Sequence, residues 1–235
     1  MEKRTVCLPE NAPRGLCLAV VADLHNTCPA GLAEALVATS PDAVLVPGDV
    51  VHGESQSEKG LAFLRECAAQ FPTFCSLGNH EFRTSGDIRA EIAATGAVLL
   101  DNTYVRTGNL VIGGLTSGFD GRVQGRFRKT PPPKTDWLDG FCAEVGYRIL
   151  LSHHPEYFKF LKDWDIDLIV SGHAHGGQWR FFGHGVFAPG QGLFPRYTSG
   201  FYGGKMFVSR GLSNNTRIPR LGNREELIFL TSDTY

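Results

Sequence analysis

The 235 residues contain no Cys-x-x-Cys pair, no Gly-x-x-x-x-Gly-Lys-Ser/Thr run and no Gly-x-Ser-x-Gly elbow. These absences remove thiolate metal clusters, P-loop nucleotide switches and serine esterases of the α/β-hydrolase kind from consideration. Long apolar runs are missing too. The first one, Leu16 to Ala22, is too short for a signal-peptide core or a membrane span, so neither export nor anchoring is expected. Net charge is nearly absent, with 23 Lys plus Arg against 24 Asp plus Glu. No global field therefore draws the chain to nucleic acid or anionic lipid, and an anionic partner must be held locally. Cysteine is sparse, and the six residues (Cys7, Cys17, Cys28, Cys67, Cys75, Cys142) are scattered, several inside apolar runs. Free thiols in a reducing cytoplasm are the expected state.

Glycine is plentiful, 28 residues against a usual share of ~7%, and it gathers where apolar runs end. Hydrophobic residues make up 42% and charged residues 20%, enough apolar surface for a folded domain. Short aliphatic runs alternate with helical periods. Residues 16–22, 42–49 and 73–80 read as strands, and 29–39, 57–70 and 88–95 as helices with apolar residues three and four apart. Further buried strands are predicted at 97–100, 110–115, 147–155, 167–175, 205–211 and 226–231. Between 121 and 137 the period fails. That stretch, GRVQGRFRKTPPPKTDW, holds five basic residues and three consecutive prolines and reads as a surface loop. With no repeat and no long linker, a single α/β domain over 1–235 is expected.

Polar residues able to bind metal stand just past the carboxyl ends of these strands: Asp23, His25, Asp49, Asn79, His80, His153, His173 and His175. In open α/β sheets the loops at that edge share one crevice. Five of the eight histidines fall there, while His52, His154 and His184 lack such support and are read as structural. Carboxylate, imidazole and amide donors together suit divalent Mn, Fe or Zn. Seven candidate ligands exceed the usual four to six of one ion, so two ions are expected, with Asp49 at the tight Pro-Gly-Asp turn as the bridge.

The ordered set Asp23-Leu24-His25, Gly48-Asp49, Gly78-Asn79-His80-Glu81, Ser152-His153-His154-Pro155 and Gly172-His173-Ala174-His175 resembles the calcineurin-like metallophosphoesterase superfamily. The later stretches GHAHGGQ, APGQGLFPRYTSGFY, VSRGLSNN and RIPRLGNREEL resemble a bacterial subgroup of it. Ser213 and Glu225 depart from that subgroup's glycine and proline. The resemblance implies a four-layer α/β/β/α sandwich of two mixed sheets flanked by helices. It implies one ion on Asp23, His25, Asp49 and His175, and another on Asp49, Asn79, His153 and His173. His153 rather than His154 is taken as the ligand, since adjacent side chains on a strand face opposite ways.

His80 then remains beside the metals. Water acidified by the cations would attack phosphorus, and His80 would protonate the leaving alkoxide. Phosphodiester or pyrophosphate-type bonds are favoured over monoesters, because no Arg lies beside a ligand in the motif blocks; the nearest is Arg83. A phosphomonoesterase and a non-catalytic scaffold of the same fold are the rival readings. Arg83 and Gln178 are expected to touch a small phosphorylated substrate. Trp179, Phe181 and Phe182 could line an apolar groove or be core aromatics. Arg122, Arg126, Arg128, Lys129 and Lys134 read as a solvated face, and Arg217, Arg220, Asn223 and Arg224 could buttress the site.

Overall fold

The computed structural model describes residues 1–53, 57–119, 130–214, 216 and 218–232. In chain order, the first half builds β1 (Glu2–Cys7), β2 (Cys17–Val20), α1 (Leu32–Thr39), β3 (Ala43–Val46), α2 (Glu58–Ala68), β4 (Thr73–Ser76), α3 (Ile88–Ala93) and β5 (Val98–Leu100). There follow β6 (Thr103–Thr107), β7 (Leu110–Leu115), α4 (Leu138–Ala143), β8 (Tyr147–Ser152), α5 (Phe158–Leu161) and β9 (Leu168–Ser171). Two small hairpins come next, β10 (Arg180–Phe181) with β11 (His184–Gly185) and β12 (Phe187–Ala188) with β13 (Gly192–Leu193). The described chain closes through β14 (Gly200–Tyr202), β15 (Met206–Val208) and β16 (Glu226–Thr231).

Two six-stranded sheets result, ordered β1-β16-β2-β3-β4-β5 and β14-β15-β9-β8-β7-β6. Both are mixed: β2 to β5 run parallel with β16 antiparallel to β2, and β7, β8, β9 and β15 run parallel between antiparallel edges. Period-two alternation assigns the layers. Ala19, Val44, Val46 and Cys75 face outward onto Leu32, Leu36, Phe63, Leu64 and Ile92 of α1 to α3. Their neighbours Leu18, Val20, Leu45 and Phe74 face inward onto Ile112, Ile149, Leu151 and Val170 of the second sheet. On the far side Val111, Leu150, Ile169 and Met206 meet Leu138, Phe141, Phe158 and Leu161 of α4 and α5. The architecture is a four-layer α/β/β/α sandwich.

Local departures from the sequence reading have local causes. The helix expected from 29 begins at Leu32, because Gly31 adopts φ 81° ahead of it. The first strand is shorter than 16–22, and residues 21–25 instead carry the chain into the site. β1, in the charged N-terminal stretch, escapes periodicity: as an edge strand it pairs with β16 while its middle residues stay exposed. Edge strand β6 and helix α4 escape for similar reasons of length and exposure. Residues Thr130 to Lys134 lack regular structure, as expected of the proline run. Arg122, Arg126, Arg128, Lys129 and Arg217 lie outside the described residues.

Candidate metal centre

The carboxyl ends of β2, β3 and β4 in one sheet and of β8 and β9 in the other meet at a common edge. All eight expected residues, Asp23, His25, Asp49, Asn79, His80, His153, His173 and His175, are buried there. Asp23, His25 and His175 bring ligand atoms within 4.8 Å of one another, and Asp49, His153 and His173 form a second such group. The groups touch through carboxylates. Asp49 Oδ2 stands 3.6 Å from His25 Nε2 and 3.1 Å from His153 Nε2, and Asp23 Oδ1 lies 3.7 Å from His175 Nε2 and 4.0 Å from His153 Nε2.

The backbone accommodates this convergence under strain. Asp23, His25, Asp49, His173 and His175 all have φ between 45° and 62°, a left-handed region that non-glycine residues visit at a cost and that concentrates at functional sites. Glycines clear the space around the carboxylates. A Cβ on Gly78 would stand 2.7 Å from Asp49 N, and one on Gly172 2.6 Å from Asp23 Oδ2. Amide donors then fix the carboxylates: the His173 N–H donates to Asp23 Oδ1 and Oδ2 (2.9 and 3.1 Å), and the His80 N–H to Asp49 Oδ1 (2.8 Å). Ser213, the residue in place of the subgroup's glycine, donates its hydroxyl to the Asp23 carbonyl at 2.8 Å.

The charges are set by burial and by the carboxylates. Burial pulls His25 and His173 well below the ordinary imidazole range. His175 is lowered for the same reason, against the pull of Asp23. His153 is also opposed by burial, but the Asp49 carboxylate overrides it and holds the imidazole up at about 9. Burial works against ionised Asp49 as well, yet His153 and His80 keep its carboxyl well below the usual range. Asn79 Oδ1 is buried without a hydrogen-bond partner. Buried acceptors in that condition need an explanation, and divalent cations on mixed carboxylate, imidazole and amide donors supply one.

His80 sits over this array, its ring 4.6 Å from that of His25. Burial brings its imidazole down to about 4, with Asp49 opposing and Arg83 reinforcing the shift. Arg83 Nη1 is 3.4 Å from His80 Nε2. An Arg donor makes Nε2 the acceptor and puts the ring proton on Nδ1, which is buried without a partner. Gln178 is turned away, its amide donating to Asn214 Oδ1, Thr216 Oγ1 and the Ile218 carbonyl. His154 Nε2 bonds Ser117 Oγ at 2.7 Å.

Two participants escape the sequence reading, and two tail residues expected as possible buttresses reach the site. His52, three residues past Asp49, places Nδ1 3.3 Å from His25 Nδ1 and stacks on His80 at 4.7 Å. Glu81 accepts the backbone N–H of Asp49 (3.0 Å), Val50 (2.8 Å), Val51 (3.3 Å) and Gly78 (2.8 Å), tying two ligand loops together. Burial and the Asp49 charge push its carboxyl up to about 7 despite those donors. From the tail, Arg220 Nη2 reaches His175 Nδ1 at 3.0 Å, and Asn223 Nδ2 donates to the His175 carbonyl at 2.7 Å. A fixed offset from a motif was the only signal for the first two.

Fold and site together define a strand-end centre built for divalent cations. The sequence profile described as calcineurin-like phosphoesterase matches residues 18–177, and the chain belongs to that family. It is 27% identical over 184 residues to the uncharacterized metallophosphoesterase Cj0846 of Campylobacter jejuni, covering 72% of this chain and 48% of the relative. With the uncharacterized metallophosphoesterase YkuE of Bacillus subtilis the identity is 28%, over 77% of this chain and 64% of YkuE. Phosphodiesterase YaeI of Escherichia coli is 29% identical over 68% of this chain and 60% of its own length. The chain thus spans about half to under two thirds of these relatives.

Proposed function

We propose that this chain is a two-cation phosphoesterase, one domain acting in the cytoplasm, that hydrolyses phosphodiester or pyrophosphate-type bonds in preference to monoesters. The observation that carries the reading is the Asp49 carboxylate, set between His25 at 3.6 Å and His153 at 3.1 Å. A single carboxylate between two ligand groups is the arrangement that bridged ions require. Asp23, His25, Asp49 and His175 would hold one ion, and Asp49, Asn79, His153 and His173 the other. When bound, Mn, Fe or Zn supplies Lewis acidity, lowering the pKa of a water molecule and neutralising charge on phosphoryl oxygens.

The chain's own groups do the rest. A neutral His80 offers its Nδ1–H to the leaving-group oxygen as a hydrogen bond while Arg83 holds the ring by donating to Nε2, and full proton transfer would need the imidazolium form, which gives up the Arg83 contact. His173 and His80 amides lock the two carboxylates, so the donor array needs no rearrangement when substrate arrives. Two arginines among the described residues touch the site, Arg83 against His80 and Arg220 against His175 and the carbonyls of Arg210 and Ser213. Arg220 offers no free fork to the third oxygen of a monoester dianion, a need that a diester does not have, and Arg83 is turned to His80 through Nη1. The relative named as a phosphodiesterase supports the same reading.

The test couples metal analysis to two chromogenic esters. Two Mn per chain and a higher kcat/KM for bis-p-nitrophenyl phosphate than for p-nitrophenyl phosphate are expected. A preference for the monoester across several metals would reassign the substrate class. Protein without stoichiometric metal, inert toward both esters, would leave a scaffold.

A further inference from the structure

From Leu168 to Arg224 the chain contains no Asp or Glu but seven Arg or Lys, whereas the remaining residues hold 16 basic against 24 acidic side chains. A chain of net charge -1 thus concentrates a positive field in one segment. The same segment carries most of the large apolar side chains left in solvent among the described residues, including Trp179, Phe181, Phe182, Leu193, Phe194 and Leu221. Phe182 is 101% exposed and Phe194 83%, so neither walls a groove.

These residues form one continuous face beside the metal centre. The β10–β11 hairpin starts five residues after His175. Trp179 bridges to Leu221 and donates its indole N–H to the Pro219 carbonyl at 3.0 Å, and the Arg180 N–H bonds the Leu221 carbonyl at 2.8 Å. The second hairpin is stitched on by the Phe194 N–H, which donates to the Val186 carbonyl at 2.8 Å. Arg196, two residues past Phe194, is exposed, and Arg180 is half-buried. Arg180 donates to carbonyls and to Thr198 Oγ1, groups that leave its charge uncompensated.

The backbone adds a separate observation. Phe182 and Phe194 have φ of 50° and 52°, a region that bulky side chains adopt at a cost and that Gly or Asn fills more readily. Fold stability alone gives no reason to keep an aromatic ring there, fully in water. Strain combined with exposure marks a functional surface.

We propose that this face docks onto an anionic lipid bilayer, the aromatic tips entering the headgroup boundary and the arginines meeting lipid phosphates. The metal centre would then be held against phosphoesters at the membrane surface, a consequence that rests on the phosphoesterase reading, whereas the docking itself does not. Apolar tips on a segment that is basic and carries no Asp or Glu of its own, although Arg210 pairs with Glu2 and Glu226 at its far end, match the two attractions that bind peripheral proteins to anionic membranes. Aromatic rings also favour the interfacial zone. A single-stranded nucleic acid would instead require stacking platforms along a cationic groove, and here aliphatic Leu193 and Leu221 share the surface. No helix among the described residues is long and apolar enough to cross a membrane, so attachment through this face would be peripheral.

Co-sedimentation with vesicles tests it. The full chain should sediment with phosphatidylglycerol-containing vesicles at low salt and much less with phosphatidylcholine alone. Phe182→Asn with Phe194→Asn, substitutions suited to the positive φ, should cut partitioning by at least ~10-fold. Arg196→Ser should cost about fivefold. Hydrolysis of soluble bis-p-nitrophenyl phosphate, measured on the same preparations, should stay unchanged, which separates failure of docking from failure of the phosphoesterase reading. Absence of vesicle binding at low salt, or binding undiminished in the Phe pair, would overturn the proposal. So would oligo(dT) binding, or a dimer in sedimentation equilibrium that the Phe pair abolishes, without vesicle binding.

Discussion

Replacing Gly78 by Ala should disable metal binding while nearly sparing the fold. Gly78 does not occupy the left-handed region, so Ala brings no backbone strain, and restricting the unfolded chain stabilises by about 0.4–1 kcal/mol. Against this, the new Cβ would lie 2.7 Å from Asp49 N, 3.0 Å from Asp49 Cγ and closer still to Oδ1. Ordinary contact begins near 3.4 Å, so the Asp49 carboxylate must retreat by roughly 1 Å, an overpacking cost of about 1–3 kcal/mol. The net loss of stability is then about 0–2.5 kcal/mol, a few degrees in Tm for a chain of this size. Metal sites tolerate far less. Ligand distances hold within about 0.2 Å, and a displacement several times larger should weaken Mn affinity by at least ~10-fold. Titration calorimetry with Mn, set beside urea melts in EDTA, separates the two effects. Gly86→Ala is the control, because its Cβ would meet only the far end of the Glu91 side chain and both measurements should stay at wild type. If Gly78→Ala bound Mn within threefold of wild type, Asp49 would not be a ligand held in place by that glycine.

Further outcomes follow from the same geometry. His80→Gln should keep both metals, counted by atomic emission, while kcat on alkyl esters falls by roughly 10²–10⁴ and falls less on nitrophenyl esters; equal metal loss would make His80 a ligand. His153→Ala should lose metal, whereas His154→Ala, which breaks the buried bond to Ser117, should retain metal and lose about 1–3 kcal/mol in urea melts; the opposite pattern would move the ligand by one residue. In EDTA, protonated His153 stabilises the fold fully below its unfolded pKa of 6.5, and that contribution is lost as pH rises through about 9. Wild type should therefore lose on the order of 3 kcal/mol relative to Asp49→Asn between those limits, and parallel stability curves would refute the His153–Asp49 coupling.

Much of the site was legible because its residues are tied to strand ends. An aliphatic run followed by Gly-Asp or Gly-Asn-His states both where a strand stops and which donors follow it, so Asp23, Asp49, Asn79 and His173 could be placed on one edge without coordinates. His153 and His154 lie past the end of β8 at Ser152, and both rings stand close to His173, at 4.9 and 4.2 Å, so the strand period did not reach them. The layers were foreshadowed by family resemblance and then settled by which alternate residues met helices and which met the other sheet.

Other features depend on distance through space. His52 joins His25 and His80 only because the β3 and β4 loops fold over one another, and Arg220 reaches His175 across 45 residues of intervening chain. β1 is a strand because β16 lies beside it, not because its own side chains alternate. The acid-free segment from Leu168 to Arg224 was written in the sequence throughout, yet an aromatic residue there is equally compatible with a core. Only the two small hairpins, too short to cover their own side chains, decided that Phe182 and Phe194 stand in water, because burial depends on what packs against a residue and the linear sequence carries no statement of that.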